Sequence, residues 1–305
     1  MRVQLRRILC STDFSDFSNH AVPYAVALAR EFKAKLFLCH VIDLSSAAIY
    51  GEAVLALEEQ QSRMTTFAHG EIRKLVGKEP PEWEPLVTVG NPALEIARLA
   101  GEKGVDLAVA ASHGRSGLKR LILGSVTERL MRTLPCPLFV VRSPEYGFVE
   151  SADQEIRLKQ IMVGHDFSSD SDLALKYGLS LAQEFQAALH LIHVVEPPSY
   201  EDLVKPASMP RDKFQQDVRR RLRERLINMV PEEARAWCTP VATLLAGDPH
   251  AELTKYAVVN NIDLIILGVR GHSLVESLLV GSTTDRVIRA APCPVLSVQP
   301  KSKVT

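Results

Sequence analysis

The chain repeats itself at the scale of a whole domain, and this constrains its fold more than any other feature. Ile8-Leu9-Cys10-Ser11-Thr12-Asp13-Phe14-Ser15 returns as Ile161-Met162-Val163-Gly164-His165-Asp166-Phe167-Ser168, and Leu38-Cys39-His40-Val41 returns as Leu191-Ile192-His193-Val194, both 153 residues later. Gly90-Asn91-Pro92 matches Gly247-Asp248-Pro249, Gly124-Ser125 matches Gly281-Ser282, and Pro135-Cys136-Pro137 matches Pro292-Cys293-Pro294, all 157 residues later. An offset that steps once, by four, is a tandem duplication with a four-residue insertion between Val194 and Gly247. The period is too long for a solenoid repeat and fits a domain. The 305 residues accommodate two units of about 150 residues, each large enough for its own core. The expected domains are 1–145 and 155–302. Ser143–Lys159, with Pro144, Gly147 and a run of charges, is the expected linker.

Within each copy, short apolar runs alternate with segments of helical period. In the first copy the pattern predicts strands at Arg7–Thr12, Lys35–Ile42, Pro85–Val89, Asp106–Ala111 and Pro137–Val141. Helices are expected near Asn19–Lys33, Glu52–Val76, Pro92–Lys103 and Ser125–Thr133. The second copy predicts strands at Gln160–His165, Ala188–Val195, Val241–Leu245, Asp263–Gly268 and Val295–Val298. Such alternation implies βαβ crossovers, and runs such as Leu264-Ile265-Ile266-Leu267 suit strands buried on both faces. The expected fold class is α/β, as two tandem, doubly wound, Rossmann-like domains with five-stranded parallel sheets.

Ligands of open parallel sheets bind beyond the C-terminal strand ends, where strand order reverses. Asp13 and Asp166 end the first strand of each copy and fall at that crevice. Each has a plain reading as a helix cap and a functional one as acceptor from ribose hydroxyls. After the fourth strand the first copy reads Ala111-Ser112-His113-Gly114, nine residues, then Gly124-Ser125-Val126-Thr127. The second reads Gly268-Val269-Arg270-Gly271, nine residues, then Gly281-Ser282-Thr283-Thr284. Glycines let backbone N–H groups approach a phosphate, and a following helix N-terminus adds unpaired donors. The plain alternative is a capping box at Ser125–Glu128 and Ser282–Asp285. The paired glycines at equal spacing favour phosphate.

Several functions are excluded or disfavoured. No Gly-x4-Gly-Lys-Ser/Thr run, no Gly-x-Gly-x-x-Gly after the first strand and no Gly-x-Ser-x-Gly elbow is present. Acidic and basic residues number 36 each, which argues against a nucleic-acid partner. The Arg219-Arg220-Arg221-Leu222-Arg223 run reads as a solvated helix face. No apolar run reaches the roughly 18 residues that span a bilayer. The five cysteines form no Cys-x-x-Cys pair, so free thiols in a cytoplasmic setting are expected and no metal site is. His40 and His193 read as structural histidines at strand ends.

The pattern Gly-x2-Gly-x9-Gly-Ser in the second copy, with aspartate after the first strand, resembles the universal stress protein family. The first copy departs from it by placing Ala111 at the first glycine. The resemblance covers roughly residues 5–142 and 158–299. It implies an adenine nucleotide alpha-hydrolase-like architecture and a cytoplasmic, nucleotide-binding stress-response protein. By that resemblance the adenine lies at Val41 or Val194, ribose at Asp13 or Asp166, and the phosphates on the loops and helix starts. Those are Ala111, Gly114, Gly124, Ser125 and Val126 in the first copy, and Gly268, Gly271, Gly281, Ser282 and Thr283 in the second. The implied ligand is ATP, with AMP or ADP as variants and Mg as a companion ion. The apolar last strands suit pairing, either between the copies or in a homodimer. A binding and regulatory module is expected. A slow ATP hydrolase or nucleotidyl-transfer enzyme, with Arg115, Lys119, Arg120 or Arg270 on the phosphates, is the alternative, as is one copy serving only as a scaffold. Glycine completeness favours the second copy for binding, and loop basicity favours the first.

Overall fold

The computed structural model describes residues 3–43, 54–77, 81–113, 123–142, 148, 149, 155–196, 211–271 and 280–300. Gly114, with Arg115, Lys119 and Arg120, lies outside the described residues. The chain divides into two compact units, one drawn from Gln4–Arg157 and Gln299–Thr305, the other from Met1–Val3 and Leu158–Val298.

The first unit runs β1 (Arg7–Ser11), α1 (Asp16–Asn19), α2 (Ala21–Glu31), β2 (Lys35–Ile42), α3 (Val54–Leu75), β3 (Trp83–Val89), α4 (Pro92–Glu102), β4 (Leu107–Ala111), α5 (Ser125–Thr133) and β5 (Leu138–Val141). The second runs β6 (Gln160–Gly164), α6 (Ser169–Phe185), β7 (Ala188–Val195), α7 (Arg211–Asn228), a 3-10 turn (Glu232–Ala236), β8 (Pro240–Ala246), α8 (Pro249–Val259), β9 (Leu264–Gly268), α9 (Ser282–Ala290) and β10 (Val295–Val298). Strand order is β3-β2-β1-β4-β5 in the first unit and β8-β7-β6-β9-β10 in the second, with parallel pairing throughout each. Each order reverses once, between β1 and β4 and between β6 and β9. Two crevices follow from topology alone.

The continuous apolar runs become the central strands. Ile8, Leu9, Leu36 and Leu38 in the first unit, and Ile161, Met162, Leu189 and Leu191 in the second, are wholly buried. Truncating one such side chain to alanine costs about 2–5 kcal/mol. The repeat of Gly90 as Gly247 has a structural cause. Both take positive φ, +149° and +143°, and a β-carbon on either would press on the following Glu95 or Glu252. Asn91 and Asp248 then cap α4 and α8 ahead of the prolines.

Two expectations change. The helix expected from Asn19 begins at Asp16, and α1 and α2 meet at His20. Part of the expected linker belongs to a core: Phe148 is buried, with its ring 5.2 Å from Tyr24 and 6.0 Å from Phe139. The Tyr146-Gly147-Phe148-Val149 stretch is too short to carry a period, so pattern alone leaves it unassigned.

Candidate functional site

The first strand of each unit ends in the same four-residue device. Asp13 Oδ1 accepts from Ser15 N–H (3.0 Å) and Ser15 Oγ–H (2.6 Å). Asp166 Oδ1 accepts from Ser168 N–H (3.0 Å) and Ser168 Oγ–H (2.5 Å). The serines, not the aspartates, cap the next helix, through Ser18 N–H and Ser171 N–H. The capping reading of the aspartates therefore gives way to one of orientation: each holds its capping serine by one oxygen.

Between aspartate and serine, Phe14 and Phe167 both adopt φ of +64°. Left-handed backbone is strained for a bulky side chain, so something must hold it. In the first unit Thr12 Oγ1 accepts from Phe14 N–H (2.9 Å) and donates to Asn19 Oδ1 (2.8 Å). In the second, His165 Nδ1 accepts from Phe167 N–H (3.0 Å) and Nε2 faces Asp172 Oδ1 at 3.2 Å. Burial holds the His165 ring below the ordinary histidine pKa, against the pull of Asp172 and Asp166. His40 and His193 occupy equivalent structural roles, their Nδ1 atoms 2.9 and 2.7 Å from the backbone oxygens of Thr12 and His165. Phe14 stacks on His40, and Phe167 tilts against His193.

The glycine loop of the second unit meets this device. Had Gly271 a β-carbon, it would lie 2.8 Å from Asp166 Oδ2. Gly281 packs in turn against Gly271, a β-carbon on it falling 3.6 Å from Gly271 N. Gly268 is different: its β-carbon would strike the backbone of Asp170 and Ser171 at 2.7–2.9 Å. That glycine admits the N-terminus of α6 to the sheet, so helix packing gives it a structural cause of its own.

A cavity of about 610 Å³ opens here, within the usual range for small-molecule sites. Asp166, just after β6, and Val194 on β7 line it, with Gly268 at the end of β9 and Gly271, Gly281, Ser282 and Thr283 from the loop and α9. In the first unit Asp13 follows β1, Val41 is buried on β2, Ala111 is buried at the end of β4, and Gly124, Ser125 and Val126 open α5. Gly114, outside the described residues, completes the expected set.

The helix starts correct a second expectation. Gly124 and Gly281 are themselves the N-caps, and no side chain caps either helix. Ser125 and Ser282 stand one position inside, so neither forms a capping box. The third residue is instead the anchor: Thr127 Oγ–H donates to Ala111 O and Thr284 Oγ–H to Gly268 O, both at 2.7 Å. A helix start with uncapped amides carries partial positive charge toward the cavity.

Arg270, offered for the phosphates in the hydrolase alternative, lines the cavity and is tied to Asp170. Its backbone N–H and its Nε–H both donate to Oδ2 of the buried Asp170, at 3.2 and 3.1 Å. The Arg219–Arg223 run lies on exposed α7, where Arg220 pairs with Asp217 and Glu224. Among the lining residues that the expectation did not name are His165, Phe167 and Arg225, whose guanidinium lies 4.1 Å from the Phe167 ring centroid. The return of Asp-Phe-Ser in both copies was the available signal for Phe167. Among the described residues no group of three or more His, Cys, Asp or Glu could hold a metal ion, and no helix is long and apolar enough to cross a membrane.

The family model described as "Universal stress protein family" matches residues 4–142 and 157–299. A universal stress protein of Methanocaldococcus jannaschii is 34% identical over 144 residues, which is 46% of this chain and 84% of that protein. A universal stress protein of Synechocystis is 23% identical over 321 residues and aligns with 96% of this chain and 99% of its own length. The crystal structure of a universal stress protein from Archaeoglobus fulgidus superposes with a TM-score of 0.67 at 20% identity, covering 97% of this chain and 99% of that one. This last likeness bears on the fold.

Proposed function

The chain belongs to the universal stress protein family, and from that premise we propose that it is a tandem adenine-nucleotide-binding module acting in regulation, with the second cleft as its principal site. One observation carries the reading: the Asp166 carboxylate and the Gly271 backbone converge in a single cavity. In the proposed pose Val194 supports the adenine and Asp166 Oδ2 accepts from ribose hydroxyls. Gly271, Gly281, Ser282 and Thr283 offer backbone and hydroxyl donors to the phosphates, where the start of α9 favours negative charge. Asp13, Val41, Ala111, Gly114, Gly124, Ser125 and Val126 would do the same in the first half.

The proposed ligand is ATP, with ADP and AMP sharing the same base and ribose contacts. Mg2+, when it accompanies ATP, would be held mainly through the phosphates. The proposed setting is cytoplasmic, in keeping with five free cysteines, and the proposed protein partner is the other half or a second copy of the chain. Neither nucleic acid nor membrane is proposed as a partner.

Native mass spectrometry of the purified chain, followed by titration calorimetry with ATP, tests the reading. Retained nucleotide or saturable binding is expected, without phosphate release above background. Absence of binding to either half at millimolar ATP would sink the reading. Turnover that disappears in Asp166→Ala would replace it with the hydrolase alternative.

A further inference from the structure

The two halves hold the N–H of their left-handed phenylalanine by different chemistry, which lies in one matched pair of positions. Thr12 and Asn19 in the first half become His165 and Asp172 in the second, each 153 residues on. Both pairs do one job: they accept the phenylalanine N–H and anchor the acceptor to the following helix. A threonine hydroxyl accepts at every pH. An imidazole nitrogen accepts only while it lacks a proton.

The bonding around His165 fixes its protonation pattern. Phe167 N–H can only donate, so Nδ1 is the bare nitrogen, and the single ring proton sits on Nε2 toward Asp172. The side chain is fully buried. The charged and titratable groups facing it are Asp172 from α6, Asp166 next in the chain and His193 from β7; the Ser171 hydroxyl lies 3.4 Å from both ring nitrogens. The carboxylates favour a cation, but Asp172 is half-exposed and screened. Burial prevails, and the ring is held neutral. A second proton on Nδ1 would set two donors face to face at 3.0 Å. The Phe167 peptide must then leave its left-handed geometry, and Asp166 is the adjoining residue.

Resting on the nucleotide-binding reading above, we propose that His165 is the positioning residue of the second cleft: its neutral ring holds Phe167 and, through it, Asp166, so nucleotide occupancy of this half falls when the ring is protonated. The first half, held by Thr12, lacks this sensitivity. Reciprocity follows, since a ligand that prefers the neutral state lowers the proton affinity of His165 by the same factor.

Two measurements on the full chain test this. In an NMR titration without ligand, the His165 ring and the Phe167 amide should shift together with one midpoint below about 6.5, while the Phe14 amide does not follow it. Calorimetry with ATP, with Asp13→Ala silencing the first half, should give constant affinity above that midpoint and roughly tenfold weaker binding per pH unit below it. The double variant His165→Thr, Asp172→Asn copies the pair already used by the first half. Between pH 7.5 and one unit below the NMR midpoint it should lose roughly tenfold less affinity than the parent, whatever its absolute affinity; protonation of ATP itself is common to both proteins and cancels in that quotient. A Phe167 amide that ignores the ring, or equal pH ratios in parent and variant, overturns the inference. No ATP binding at pH 7.5 overturns the nucleotide reading instead, and the amide titration still decides whether His165 governs Phe167.

Discussion

Asp166 Oδ2 stands 2.8 Å from the point a β-carbon on Gly271 would occupy. The carboxylate after the first strand and the backbone after the fourth are therefore neighbours, although 105 residues separate them in the chain. Gly271→Val forces a branched side chain into this contact. We expect ATP affinity of the second cleft to fall at least about tenfold, equivalent to about 1.4 kcal/mol. Calorimetry measures it, with circular dichroism confirming the fold; unchanged affinity would remove Gly271 from the site.

Gly268→Ala is a stability prediction. The added methyl meets Asp170 and Ser171 backbone at 2.7–2.9 Å, and backbone yields less readily than a side-chain tip. The expected cost is about 1–3 kcal/mol by urea denaturation. The converse change in the first half, Ala111→Gly, should cost only about 0.5–1 kcal/mol, from backbone entropy. Equal effects in the two halves would contradict the packing account.

Asp170→Ala removes both bonds to Arg270. Asp170 is 4% exposed, but the Arg270 side chain is about one-third exposed, so water recovers part of the loss. We expect a destabilisation of about 2 kcal/mol, below the figure for a wholly buried pair. Denaturation of the single variant measures it, and a change under about 0.5 kcal/mol would show the pair contributes little.

His190 predicts a pH slope. It lies between Tyr256 Oη and Gln160 Oε1, each at 2.8 Å, and burial lowers its pKa. The unfolded chain binds a proton near pH 6.5 that the folded chain does not. Stability is complete above that pH and falls as pH drops toward the lowered folded value, by at most about 1.4 kcal/mol per pH unit. His190→Gln should flatten this limb of the stability profile between pH 5 and 6.5. An unaltered profile would mean His190 titrates alike in both states.

The strands and the switch points are legible in the sequence because buried parallel strands are continuously apolar, as in Leu264–Leu267. The capping boxes are not. Ser125 and Ser282 satisfy the pattern, yet the glycine before each takes the extended N-cap geometry, and spacing does not report backbone angles. The bond from Arg270 to Asp170 is hidden in one dimension because the two residues lie 100 positions apart. His165 is visible as a departure from Thr12, but its meaning emerges only with Asp172 beside it.

The turn after each opening strand behaves as indivisible hardware. An acid, a twisted aromatic and a serine lock one another through bonds spanning only a few residues. Anyone grafting this corner into a different scaffold must move all three together with their upstream anchor, Thr12 or His165. Transplanted singly, the phenylalanine would relax to an ordinary conformation and carry the neighbouring acid away from its cleft.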